Sequence, residues 1–133
     1  MIRDYYDSFF TTAGVETLNL GSTSGNSDYM DLGVAEANDD AHRKRYLNIV
    51  GLTDMTSGDG AVLNLKLVSH DDILFSGPTT EWSKLAIAKD AVADMIEKIV
   101  LPEGMERYIR IEWTITVGTA SAGGDFQAFL SNS

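Results

Sequence analysis

The chain has 133 residues, with 20 Asp and Glu against 10 Lys and Arg for a formal net charge of -10. A chain of this length fits one domain around a single core, and its surplus of acids works against an electrostatic hold on nucleic acid or on an anionic membrane. It contains no Cys, which excludes disulfides, thiolate metal sites and Cys nucleophiles.

The opening MIRDYYDSFF lacks the basic start, apolar run and small-residue cleavage site of a secretory signal. No apolar stretch approaches the ~20 residues of a membrane-spanning helix. Both features predict a soluble protein made in a cytoplasm. Ile2, Tyr5, Tyr6, Phe9 and Phe10 fall at i, i+3, i+4, i+7 and i+8, the spacing of one helical face. A segment so rich in aromatic rings makes a poor solvated tail. It is expected to dock, either on its own domain or on a neighbouring subunit. Residues 1–10 therefore read as an aromatic N-terminal arm and residues 11–133 as a single β-sandwich domain.

Between Thr11 and Asn26 the chain is rich in Gly, Ser and Thr, with Val15, Leu18 and Leu20 to anchor a short strand. Asp28 to Gly33 offers a second. Residues 34–45 turn from acidic, at Asp39 and Asp40, to basic, at His42, Arg43, Lys44 and Arg45, and read as a solvated loop too short for a nucleic-acid stripe. Tyr46 to Leu52 is a mostly buried strand, closed by the turn residues of TDMTSGDG. From Val62 to Ser69, Leu63, Leu65 and Leu67 alternate with Asn64, Lys66 and Val68, which predicts one buried face.

Residues 81–100 carry two readings. Trp82, Leu85, Val92, Ile96 and Ile99 fit a period of 3.6, and local propensity favours a helix. The strand reading puts Leu85 and Ile87 on one face, a turn near Asp90 to Asp94, and a second strand at Ile96 to Leu101. The sequence Leu101-Pro102-Glu103-Gly104 has the chemistry of a turn. It predicts a hairpin into Tyr108 to Val117, and so favours strands. In that segment Ile109, Ile111, Trp113, Ile115 and Val117 alternate with Arg110, Glu112, Thr114 and Thr116, the pattern of a strand at the centre of a sheet. A last strand, Asp125 to Leu130, sets Phe126, Ala128 and Leu130 on one face. About eight short strands with turn signals between them predict an all-β fold, an antiparallel jelly-roll-like β-sandwich.

Little in the chain points to chemistry. With only His42 and His70 present, a His-rich metal centre of the cupin type is not buildable, and no metal or cofactor is expected. His70-Asp71-Asp72 holds the ingredients of a carboxylate-oriented base. Neighbours on a strand point to opposite faces, however, so His70 and Asp71 are expected not to pair and the segment reads as a strand end with turn acids. Asp54 and Asp59 lack the spacing of a calcium loop, and phosphate-cradling loops and a serine elbow are absent. No catalytic residue is predicted, which points to a structural or binding module rather than an enzyme.

The order of residues resembles the small jelly-roll cement, or decoration, proteins on the heads of tailed bacteriophages, of the Bordetella-phage cement-protein type. The likeness runs through Met1-Ile2, Asp4, Asp31-Leu32-Gly33, Gly60-Ala61, the alternating Leu63, Leu65 and Leu67, Ser69 to Asp72, and Phe75-Ser76. Its most specific piece is Leu101 to Arg110, similar to an L-P-x-G-x-x-R-Y-[LI]-R hairpin, and it ends in Gly123-Gly124 and Ala128-Phe129-Leu130. The chain departs from the pattern at Lys89 to Asp94, which lack the Gly expected before the Ile96 strand.

The resemblance implies a virion protein on the outer capsid surface that clamps adjacent major-capsid subunits and has no catalytic residue. Its partners would be the major capsid protein and itself, as a homodimer or homotrimer, since identical weak contacts gain from avidity. The residues expected at oligomer or capsid contacts are Ile2, Tyr5, Tyr6, Phe9, Phe10, Arg107, Tyr108 and Arg110. Alternatively, Arg107 and Arg110 merely pair with nearby acids. A carbohydrate-binding β-sandwich module, stacking sugars on Trp82 or on exposed Tyr rings, is a second expectation from a different class. A hydrolase working on Glu103 and Glu106 is a third.

Overall fold

The computed structural model describes residues 8–10, 15–18, 24–32, 45–55, 61–116 and 124–131. In chain order its strands are β1 (Glu16–Leu18), β2 (Ser24–Asn26), β3 (Met30–Asp31), β4 (Tyr46–Thr53), β5 (Val62–His70), β6 (Thr79–Ala88), β7 (Ile96–Val100), β8 (Tyr108–Thr116) and β9 (Gly124–Ser131), with one 3-10 turn at Lys89–Ala91. Two antiparallel sheets form a sandwich, one in the order β1-β9-β4-β7 and the other β2-β8-β5-β6, with β3 also on β8. If β2 and β3 are taken as one interrupted strand, the chain changes sheet at every step except β5 to β6, the order of a jelly roll.

The alternation that runs through the long strands explains the sandwich. Leu63, Leu65 and Leu67 of β5 and Ile109, Ile111 and Trp113 of β8 pack in one core with Leu47 and Ile49 of β4 and Phe126, Ala128 and Leu130 of β9. Each of these strands thus turns one face into the core; on the opposite face Asn48, Val68 and Phe129 are buried as well. The end of the aromatic arm belongs to this core: Phe9 and Phe10 are buried, the Phe9 amide donates to the Ala128 carbonyl at 3.0 Å, and Phe10 meets Phe126 edge to face at 5.4 Å. Packing therefore draws no boundary at residue 10. Ile2, Tyr5, Tyr6 and Leu20 lie outside the described residues.

Several expectations need correction. Residues 81–100 form two strands joined by a turn that includes the 3-10 segment Lys89–Ala91, as the strand reading had it, because pairing of β6 with β5 and of β7 with β4 overrides the local helix preference. Leu85 and Ile87 do not share a face. The β5–β6 ladder steps from Leu65↔Lys84 to Leu63↔Ile87, and the extra residue, with Ala86 at φ 58°, forms a bulge that buries Ile87 and leaves Leu85 59% exposed. The segment after Leu101 is not a hairpin, since β7 pairs with β4 and β8 with β5. It crosses from one sheet to the other. Its turn is made at Gly104, at φ 76°, while Leu101 and Met105 are buried in the core.

The turn before β7 needs no glycine of its own, because β4 supplies one. Val92 is fully buried, and a Cβ on Gly51 would stand 1.6 Å from the Val92 carbonyl oxygen. The Gly51 amide donates to the Met95 carbonyl at 2.7 Å, and Asp54 Oδ1 accepts from the Ala93 amide at 2.8 Å. The 3-10 turn is thus pinned to the end of β4. A similar close approach occurs at Gly25, paired with Trp113, where an added Cβ would lie 2.6 Å from the indole.

Glu16 on the edge strand β1 is a carboxyl with a burial cost. Desolvation raises it above the ordinary glutamate range and Asp28 adds to the shift; the Trp113 indole opposes it, although its nitrogen makes no hydrogen bond of good geometry. The folded state then holds this proton more tightly than the unfolded chain. Its contribution to stability is therefore greatest below the unfolded value and is lost as pH rises through the folded one.

Two predictions follow from these contacts. Gly51→Ala should lower stability by about 2 kcal/mol or more, because backbone must move, whereas Gly77→Ala, at φ 69° with open space around it, should cost only about 1 kcal/mol of backbone strain. Urea titration of both variants checks the order. Glu16→Gln should raise the melting temperature near pH 7, and the gain should vanish at about pH 3.5, below the ordinary carboxylate range. An equal gain at both pH values would show that burial of the charge is not its source.

Candidate functional site

The site with the most exposed chemistry is one end of the β2-β8-β5-β6 sheet. The β5–β8 ladder ends at His70↔Tyr108, and β3 pairs Asp31 with the same Tyr108 from the other side. Three strands and the turn of residues 71–78 therefore meet at one place. On β8 the buried Ile109 and Ile111 force Tyr108, Arg110 and Glu112 to the outward face.

There the Arg107 guanidinium grips Asp31 with two hydrogen bonds, Nε to Oδ1 and Nη2 to Oδ2, both 2.8 Å. That carboxylate, by hydrogen bond and then by charge, raises the already high pKa of Arg107. The same guanidinium lies 5.0 Å from the centre of the Tyr108 ring, and Tyr108 meets Tyr29 edge to face at 5.4 Å. The Arg107 carbonyl accepts from the Leu32 amide at 2.7 Å, so β3 is stitched to the crossover through both backbone and side chain.

Arg110 is held differently. Its Nε and Nη2 donate to Glu112 Oε2 at 3.0 and 2.6 Å, and the flat guanidinium covers Phe75 at 4.3 Å. Phe75 is 4% exposed but lies outside the main core, so the 71–78 turn folds over the outward face of the sheet. The turn is built by Asp72, whose Oδ1 accepts from the Leu74 amide at 3.0 Å and whose carbonyl accepts from the Phe75 amide at 3.1 Å. With Phe75 tucked in, Ile73 and Leu74 stand out at the tip, Leu74 75% exposed.

Of the residues expected at contacts, Arg107, Tyr108 and Arg110 are brought together at this end, and both arginines pair with acids. Phe9 and Phe10 are a correction: their rings are used inside the chain's own core and offer no contact surface. Reading the sequence missed Tyr29, Ile73 and Leu74. Asp31 and Arg107 both stood in the motifs that carry the resemblance, but nothing in their spacing showed that they would meet across 76 residues. Trp82, suggested as a sugar platform, packs against the core.

His70 and Asp71 are a second correction. His70 Nδ1 and Asp71 Oδ1 are 3.1 Å apart, because His70 is the last residue of β5 and the chain bends immediately after it. The alternation rule holds inside a strand and not at its end. Asp59, His42, Arg43 and Lys44 lie outside the described residues.

A second exposed region is the groove of about 570 Å³ between the edge strands β6 and β7. Leu85 and Ile96 are exposed beside it, and Lys84 of one sheet is ion-paired to Glu97 of the other across it. The pair is part-buried and joins two strands that make no ladder with each other.

No family model matches the chain, and no curated protein matches it.

Proposed function

We propose that the protein is a structural virion protein, a capsid cement or decoration protein that binds the outer surface of a phage head and stabilises contacts between major capsid subunits. The observation that supports this reading most is a convergence. The residues through which the chain resembles cement proteins are scattered in sequence, yet Asp31, Ser69 to Asp72, Phe75 and Arg107 to Arg110 gather at one end of one sheet of a jelly-roll sandwich. That end offers a rim of paired charges, an aromatic pair and the apolar tip Ile73-Leu74, the mixture of anchor and polar rim found at protein interfaces.

The acids fit the same reading. A formal charge of -10 keeps a densely displayed protein soluble and gives it no reason to touch packaged nucleic acid. Attachment then rests on apolar contact, from the loop tip and from Ile2, Tyr5 and Tyr6, with a homodimer or homotrimer multiplying it. Synthesis takes place in the host cytoplasm before assembly. A carbohydrate-binding module is the second reading, and it rests on the Tyr29 ring, 48% exposed, rather than on Trp82.

Co-sedimentation with mature heads of the virus whose genome encodes the protein tests the proposal. The wild type should pellet with heads, and binding should persist at about 0.5 M salt, where exposed charge attraction is largely screened. Leu74→Ser should weaken binding without lowering the melting temperature. Failure to pellet would overturn the cement reading, and release at moderate salt would move the driving force from apolar contact to charge. Light scattering should show a dimer or trimer at micromolar concentration. Deletion of residues 1–7, which spares the buried Phe9 and Phe10, should return it to a monomer. A glycan array should stay silent.

A further inference from the structure

We propose that His70, Asp71 and Glu106 form a binding site for a divalent transition-metal cation of the Zn²⁺ type, at the end of the β5–β8 ladder. One ligand atom from each of the three side chains lies within 4.8 Å of the others. His70 closes β5, Asp71 begins the turn that follows, and Glu106 precedes β8 by two residues. Because His70 pairs with Tyr108, the ladder itself carries Glu106 to the place where the turn from β5 departs.

The contact between His70 and Asp71 is what points to a cation. The Asp72 amide donates to His70 Nδ1 at 2.9 Å, an arrangement in which that nitrogen presents its lone pair. Asp71 Oδ1 lies 3.1 Å from the same nitrogen. With Nδ1 accepting from that amide, Nδ1 and Oδ1 are two acceptors that only a proton or a metal cation can bridge. Ligands bound to one zinc ion at about 2.0–2.2 Å and tetrahedral or right angles stand about 3.0–3.4 Å apart, the spacing of the His70–Asp71 pair; Glu106, within 4.8 Å of both, has to close in to complete the site. Seating an ion on Nδ1 costs the Asp72 amide bond and replaces an acceptor–acceptor contact with two metal–ligand bonds.

The surroundings favour positive charge. Glu81, the extra residue where the β5–β6 ladder steps from Leu67↔Trp82 to Val68↔Thr80, stands near enough to Glu106 for the two carboxylates to repel. Thr79 Oγ1 reaches Glu106 Oε1 at 3.5 Å and orients it. One imidazole with two carboxylates suits zinc better than calcium, which prefers an all-oxygen shell. A bound ion would tie the end of β5 to the crossover that carries Arg107, and so brace the surface described above. This inference stands apart from the capsid reading.

Calorimetric titration of metal-stripped protein with ZnCl₂, followed by histidine-detected NMR, tests it. Zinc should bind at one site, shift the His70 ring resonances and raise the melting temperature, with calcium doing neither. His70→Gln and Glu106→Gln should each weaken zinc binding about tenfold or more, and Asp71→Asn, at a 79% exposed side chain, is the variant least exposed to a folding defect. His42→Gln should bind as the wild type does. Equal binding by wild type and Asp71→Asn, or a His70 ring that titrates with pH but ignores zinc, would overturn the site and leave an imidazolium–carboxylate pair.

Discussion

The unbroken antiparallel ladder between β5 and β8, from Val62↔Thr116 to His70↔Tyr108, is the constraint on which the rest of the structure depends. It decides that Leu63, Leu65 and Leu67 face inward with Ile109, Ile111 and Trp113. A slip of one strand by one residue would turn its whole apolar set to solvent. Its length also decides where the sheet stops, and therefore that Tyr108, His70, Asp31 and Phe75 share one end. The exposed surface is a by-product of register: the core selects the pairing, and the pairing delivers the outward residues.

How much of this was legible in the sequence depended on the range of the interaction involved. In β8, and in β5 as far as Leu67, the alternation is strict, so one face could be assigned from a single strand. At 81–100 the composition argued for a helix, and the outcome was decided by β4 and β5, whose edges needed partners. The Leu101–Gly104 turn was read correctly as a turn and wrongly as a hairpin. Turn chemistry reports how the chain bends locally and says nothing of which sheet it enters next, whereas buried Leu101 and Met105 hold that link over the end of the sandwich.

The candidate surface was less legible still. Arg107, Tyr108 and Arg110 could be placed outward because Ile109 had to face in. The contact between Asp31 and Arg107 spans 76 residues, and the tuck of Phe75 under Arg110 depends on a left-handed residue, Phe75 itself at φ 51°. Neither has a periodic signature. Phe9 and Phe10 misled in the opposite way: aromatic residues next to a terminus look like a detachable arm, yet backbone bonds from Phe9 to Ala128 and from Asp28 to Phe9 make that stretch part of the fold.

The irregular course of β6 bears on how many copies can stand side by side. A straight edge strand with exposed apolar residues is a template on which a second chain can add its own strand. Here the edge is interrupted at two places, at Glu81 and at Leu85–Ala86, and Lys84 is turned across to Glu97. The row of backbone donors and acceptors along it is out of step with any straight partner. Proteins crowded on a surface at high local concentration would meet edge to edge continually, and such a border lets those collisions end without growth into a shared sheet.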